Sequence, residues 1–100
     1  DMTSSNDSKT SANWTFLSNH SHVLVCIAGN SELRIRDIAQ LVGITERAVA
    51  VIIGDLEDGG YLKRVKQGRR NTYVLNKKGK LRHELENKIS IGKILDLFGN

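Results

Sequence analysis

Between Tyr61 and His83 the chain carries nine of its fifteen basic residues, Lys63, Arg64, Lys66, Arg69, Arg70, Lys77, Lys78, Lys80 and Arg82, and no acidic one. A solvated surface usually mixes both signs, so a one-signed block of this length points to a polyanionic partner. Lys66, Arg69, Arg70 and Asn71 surround a Gln-Gly junction between two stretches rich in β-branched and aromatic residues, the composition of a hairpin with a basic tip. Such a tip suits phosphate contact or insertion into a narrow minor groove. Arg47 stands apart from the block, just behind Thr45 and Glu46. Its planar guanidinium has the donor geometry for a bidentate contact to guanine or to a phosphate.

Other combinations carry less chemistry. His22 and Cys26 are four apart, a spacing that can hold a metal on a helix, but a structural site wants four ligands and no second pair accompanies them. Cys26 reads as a small apolar residue, and as the single cysteine it excludes an internal disulfide. His20 and His83 read as surface or packing residues. Ser, His and Asp occur without a nucleophile motif, a phosphate-cradling glycine loop or paired carboxylates in an apolar setting, and Glu84 and Glu86 point different ways on a helix. Neither an enzyme nor a cofactor or metal site is expected.

The elements that must carry these residues follow from periodicity and punctuation. Ser18 can cap a first helix with Leu24, Val25, Cys26, Ile27 and Ala28, stopped at Gly29-Asn30. Leu33-Arg34-Ile35 reads as a short strand, 37–42 as a brief helix ended by Gly43, and Thr45 as the cap of a helix to about Asp58 with Val49, Ile52, Ile53 and Leu56 at helical spacing. Gly59-Gly60 closes it. Strands are expected over 61–66 and 72–75, and after Gly79 a helix with Leu81 and Leu85, then Ile91, Ile94, Leu95 and Phe98 on one stripe. The fold class is therefore mainly α with a small β-hairpin: helix, short strand, helix, helix, two-stranded wing, C-terminal helix.

Within 38–52 every position that a close helix pair constrains is met: Ala39 is small at the crossing, Gly43 makes the turn, and Ile38, Val42, Ile44, Val49 and Ile52 close the space between the helices. With Ile38-Ala39-Gln40-Leu41-Val42-Gly43-Ile44-Thr45-Glu46-Arg47-Ala48-Val49, Leu56-Glu57-Asp58-Gly59-Gly60-Tyr61-Leu62-Lys63-Arg64 and Gly68-Arg69-Arg70-Asn71-Thr72-Tyr73, the chain resembles prokaryotic winged helix-turn-helix regulators of the MarR and ArsR kind. The resemblance implies double-stranded DNA as partner, 45–55 as the recognition helix in the major groove, and 66–72 as the wing on the backbone or in the minor groove. Helical geometry marks the same outer face independently: with Val49, Ile52 and Leu56 inward, Glu46, Arg47, Ala50, Val51 and Gly54 point out. Ala50 and Val51 depart from the polar side chains usual there. They can meet thymine methyl groups but donate no hydrogen bond to a base edge, so a protein-docking module using this apolar face is the rival reading.

One hundred residues, 39% hydrophobic and 26% charged with a net charge of +4, bound the chain to one globular domain without a membrane-spanning run. Residues 1–13, polar throughout apart from Met2 and Ala12, are expected to form a disordered tail and show no secretion signal, which together with the lone cysteine points to the cytoplasm. The domain is expected over 14–98. Trp14, Phe16, Leu17, Ile91, Ile94, Leu95 and Phe98 are more apolar surface than so small a core covers, and a two-fold homodimer through them is expected, as the resemblance also implies. Operator, direction of regulation and any effector have no signature in the residues.

Overall fold

The computed structural model describes residues 14–99, so the expected tail at 1–13 lies outside the described residues. Helix α1, Asn19–Gly29, starts where the Ser18 hydroxyl accepts the Ser21 N–H at 3.4 Å and turns Val23, Leu24 and Ile27 inward. Helix α2, Ile35–Val42, begins two residues earlier than expected and takes Ile35 out of the anticipated strand. The cause is local: the Asp37 carboxylate accepts the Arg34 N–H at 3.2 Å, which sets the first turn, and among the described residues no strand pairs with 33–35.

Gly43 then reverses the chain at φ +84°, a left-handed conformation costly for a residue with a Cβ. The N–H groups of Gly43 and Ile44 both bond to the Ala39 carbonyl, at 2.8 and 3.1 Å. Helix α3, Glu46–Asp58, follows at once, with the Thr45 hydroxyl accepting the Ala48 N–H at 3.0 Å. Its inward row is Val49, Ile52, Ile53 and Leu56.

Strands β1, Leu62–Gln67, and β2, Arg70–Leu75, pair antiparallel from Leu62 with Leu75 to Gln67 with Arg70. The hairpin is longer and its tip tighter than expected. Gly68, at φ +64°, and Arg69 alone make the turn, because a positive φ at the first place of a two-residue loop matches the strands' twist and lets pairing run to the end.

The last element also departs from expectation. Residues 81–90 are irregular, closed at their base by a bridge between Lys80 and Ser90 and by the Leu81 N–H on the Ile89 carbonyl at 3.0 Å. Leu85, read as part of a helical stripe, is 88% exposed. Helix α4 is confined to Ile91–Leu97, anchored where the Ile91 N–H meets the Gly79 carbonyl at 2.7 Å and the Gly92 N–H meets the Lys77 carbonyl at 3.0 Å. These bonds to the chain after β2 hold the backbone that a longer helix would have needed for itself.

One core joins all of this. Val23, Leu24 and Ile27 of α1 meet Ile38 and Ala39 of α2, the inward row of α3, Tyr61, Leu62 and Tyr73 at the base of the hairpin, and Ile91 and Leu95 of α4. Val42 and Ile44 pack at its edge, as the helix-pair pattern requires. No described helix is long and apolar enough to cross a membrane.

Candidate nucleic-acid interface

Helix α3 presents two chemically distinct faces. Val49 and Ile53 are completely buried, while Thr45, Glu46, Arg47, Ala50 and Val51 are exposed on the other side. That split fixes α3's rotation, because turning it would expose the buried row at roughly 1.5–3 kcal/mol per large side chain. Arg47 makes no hydrogen bond or ion pair among the described residues, so its guanidinium is open to an external acceptor in the first turn of α3. The backbone donors and dipole of that turn favour negative charge. Gly54, a little further along this side, has open space where a Cβ would stand, so α3 is thin there.

The hairpin separates its basic residues by pleat. Cross-strand pairs Leu62 with Leu75, Arg64 with Tyr73, and Lys66 with Asn71 alternate on one face, and the first two rest on the core. Lys63 with Val74, Val65 with Thr72, and Gln67 with Arg70 occupy the other. Lys66, Arg69, Arg70 and Asn71 are all exposed, with Arg69 at the apex. Of the alternating pair Lys63 and Arg64, Arg64 is held by Glu57 of α3 at 3.0 Å, so it braces the base of the hairpin. Tyr73 is buried on the hairpin, as a strand aromatic usually is, and burial pushes its phenol pKa up, an effect that Arg64 opposes and Glu57 adds to.

Three contacts around this surface join residues far apart in sequence. His20 Nε2 and Asp55 Oδ2 lie 2.8 Å apart, tying α1 to α3. Arg70 donates to the Glu32 carbonyl at 3.0 Å, and the Tyr61 hydroxyl donates to the Lys80 carbonyl. None has a sequence signal, since the partners are 35, 38 and 19 residues apart. The Arg64 pair spans a helix stop and a strand and was equally unmarked.

A family model described as "Winged helix-turn-helix DNA-binding" matches residues 18–63, from the cap of α1 into β1. The fold is that of a winged helix-turn-helix domain, and the family match covers just under half of the chain. In this winged-helix domain α2 and α3 are the helix pair and β1 and β2 the wing. The fold is similar to that of the PcaV transcriptional regulator from Streptomyces coelicolor, described in complex with its natural ligand, with a TM-score of 0.55 at 23% identity over 91% of this chain and 66% of PcaV. It is also similar to AF1382 from Archaeoglobus fulgidus, with a TM-score of 0.54 at 23% identity over 94% of this chain and 98% of AF1382. The domain thus spans just under two thirds of PcaV and nearly all of AF1382. No curated protein matches the sequence.

Two grooves flank the winged-helix core. One, of about 680 Å³, lies where α1, the end of α3 and the C-terminal segment meet, with Leu24, Leu56, Tyr61 and Ile94 among its apolar lining and His20, Asp55, Arg82 and Glu86 among its polar lining. The other, of about 510 Å³, gathers Phe16, Leu17, Val25, Cys26, Leu41 and Phe98. Of the residues expected to form a dimer interface, Ile91 and Leu95 are only 4% and 1% exposed, because α4 spends them on its own core. Trp14 and Phe16 are exposed and stack edge-to-face at 5.1 Å, Phe98 is half exposed, and Leu17 and Ile94 are half-buried. His22 and Cys26 do not come together with further ligands: His22 bonds to Asn19 at 3.1 Å, and among the described residues no three His, Cys, Asp or Glu side chains gather as a metal site. Burial pushes the Cys26 thiol pKa up.

Proposed function

We propose that this domain binds duplex DNA as a sequence-specific transcriptional regulator, with α3 in the major groove and the wing on the backbone or in the minor groove. The observation that carries the reading is the face of α3 that self-packing leaves free: Thr45, Glu46, Arg47, Ala50 and Val51 stand exposed while the opposite row is sealed in the core. Arg47 contacts a base edge or the phosphate beside it; Ala50 and Val51 meet thymine methyl groups; Lys66, Arg69 and Asn71 supply charge and polar contact along the backbone. Base readout by so apolar a helix centre is narrow, and affinity leans on the phosphates.

Titration of random duplex at several salt concentrations tests this. Each phosphate neutralised steepens the dependence of log K on log salt by about 0.9, so binding that does not weaken as salt rises excludes the wing as an electrostatic clamp. The 59% exposure of Val51, next to exposed Ala50, favours a second reading in which the same face docks on a protein. In that case Val51→Glu abolishes capture of a protein partner and the wild-type chain shifts no duplex.

The unit that binds is proposed to be a two-fold homodimer. Trp14, Phe16, Leu17, Ile94 and Phe98 supply the interface, and Leu41 at the second groove extends it. A symmetric pair would place two copies of α3 on two half-sites of one duplex.

A further inference from the structure

We infer that Arg70 positions the wing from within and does not grip the nucleic acid, so that the two adjacent arginines at the tip have different tasks. This rests on the DNA-binding reading above and sharpens it. Arg69 occupies the apex of the two-residue turn, exposed and without a partner among the described residues. Arg70 is the first residue of β2, on the pleat face opposite Lys66 and Asn71, and its guanidinium donates to the Glu32 carbonyl at 3.0 Å.

The acceptor is itself held in place. The Glu32 N–H bonds to the Asn30 side chain at 3.0 Å and the Leu33 N–H to the Asn30 carbonyl at 3.2 Å, making a braced turn at the end of α1. Two residues after Glu32, Arg34 is the N-cap of α2, the first helix of the DNA-binding pair. The Arg70 bond therefore links the outer half of the wing to the lead-in of the helix pair. No other described hydrogen bond of residues 66–71 leaves the hairpin; Arg64 braces only its base. An isolated two-stranded hairpin is marginal in water, so a single charge-assisted bond near the tip is enough to bias where Arg69 and Lys66 point.

The test compares wild type, Arg69→Ala and Arg70→Ala in two measurements: the salt dependence of binding to random duplex, and backbone NMR order of residues 67–71 in the free chain. Arg69→Ala is expected to lower the salt slope by about 0.9 with tip order unchanged, the signature of a lost phosphate contact. Arg70→Ala is expected to leave the slope as in wild type, weaken binding roughly three- to tenfold, the worth of one solvent-exposed hydrogen bond, and loosen residues 67–71. A slope drop in Arg70→Ala equal to that in Arg69→Ala, or a tip that stays ordered in Arg70→Ala, overturns the inference. Should the wild-type chain bind no duplex, the DNA-binding reading fails by itself, and the order measurement on the free chain still decides whether Arg70 holds the wing.

Discussion

Arg47 and Cys26 illustrate how little of a residue's role lies in its type. Arg47 earns its place because Val49 and Ile53 are sealed on the far side of the same helix, leaving it free of internal partners. Arg47→Ala should relax preference at a single base-pair position by roughly 1–3 kcal/mol while leaving other positions as they were, which a binding selection on randomised duplex would reveal. A uniform loss across all sequences would reassign Arg47 to the phosphates. Cys26, four residues from His22, has the spacing of a ligand pair yet lies partly buried, and burial favours its neutral thiol. Because the thiolate is the reactive form, alkylation by iodoacetamide at neutral pH should be slower in the folded chain than after denaturation, and should speed up only as pH climbs past the ordinary thiol range. Equal rates in both states would contradict the burial.

At the scale of elements, the junction between α2 and α3 is where local chemistry and tertiary need coincide. Gly43 supplies the left-handed turn and Thr45 caps α3. Thr45→Ala should cost about 1 kcal/mol and Gly43→Ala about 1–2 kcal/mol in denaturant unfolding. No loss in either variant would mean that the junction is not formed in solution. These features were legible in advance because each depends on residues within four positions of one another. The strand expected at 33–35 and the helix expected from 81 failed for the opposite reason. Asp37 recruits Ile35 into α2 through the Arg34 N–H, and the backbone around Gly79 and Lys77 binds the start of α4, so 81–90 is pinned as a loop. A leucine pair four apart was too short a pattern to outweigh those long-range bonds.

For the whole molecule the open question of physics is how the apolar surface left by so small a core is covered. Ile91 and Leu95 close the domain on itself, whereas Phe16, Leu41 and Phe98 stand out around the second groove, with exposed Trp14 stacked on Phe16. Light scattering at micromolar concentration should give twice the mass of the chain, and Phe16→Ser, at a site 93% exposed, should return it to the single-chain mass without lowering the unfolding midpoint measured at high dilution. A single-chain mass for wild type would remove the dimer.

Composition, helical periodicity, the glycines at 43, 59, 60 and 68 and the caps at 18 and 45 were enough to read the order of helices and hairpin, the buried row of α3 and its exposed face, because all of these are set by neighbours along the chain. Tertiary structure alone decided which cations remain free. Arg64 is taken by Glu57 and Arg70 by the Glu32 carbonyl. It also decided that α4 buries Ile91 and Leu95 inside its own chain. The basic block looks uniform in one dimension; packing divides it, since a charge's partner is whatever the fold brings within about 3 Å of it, regardless of separation in sequence.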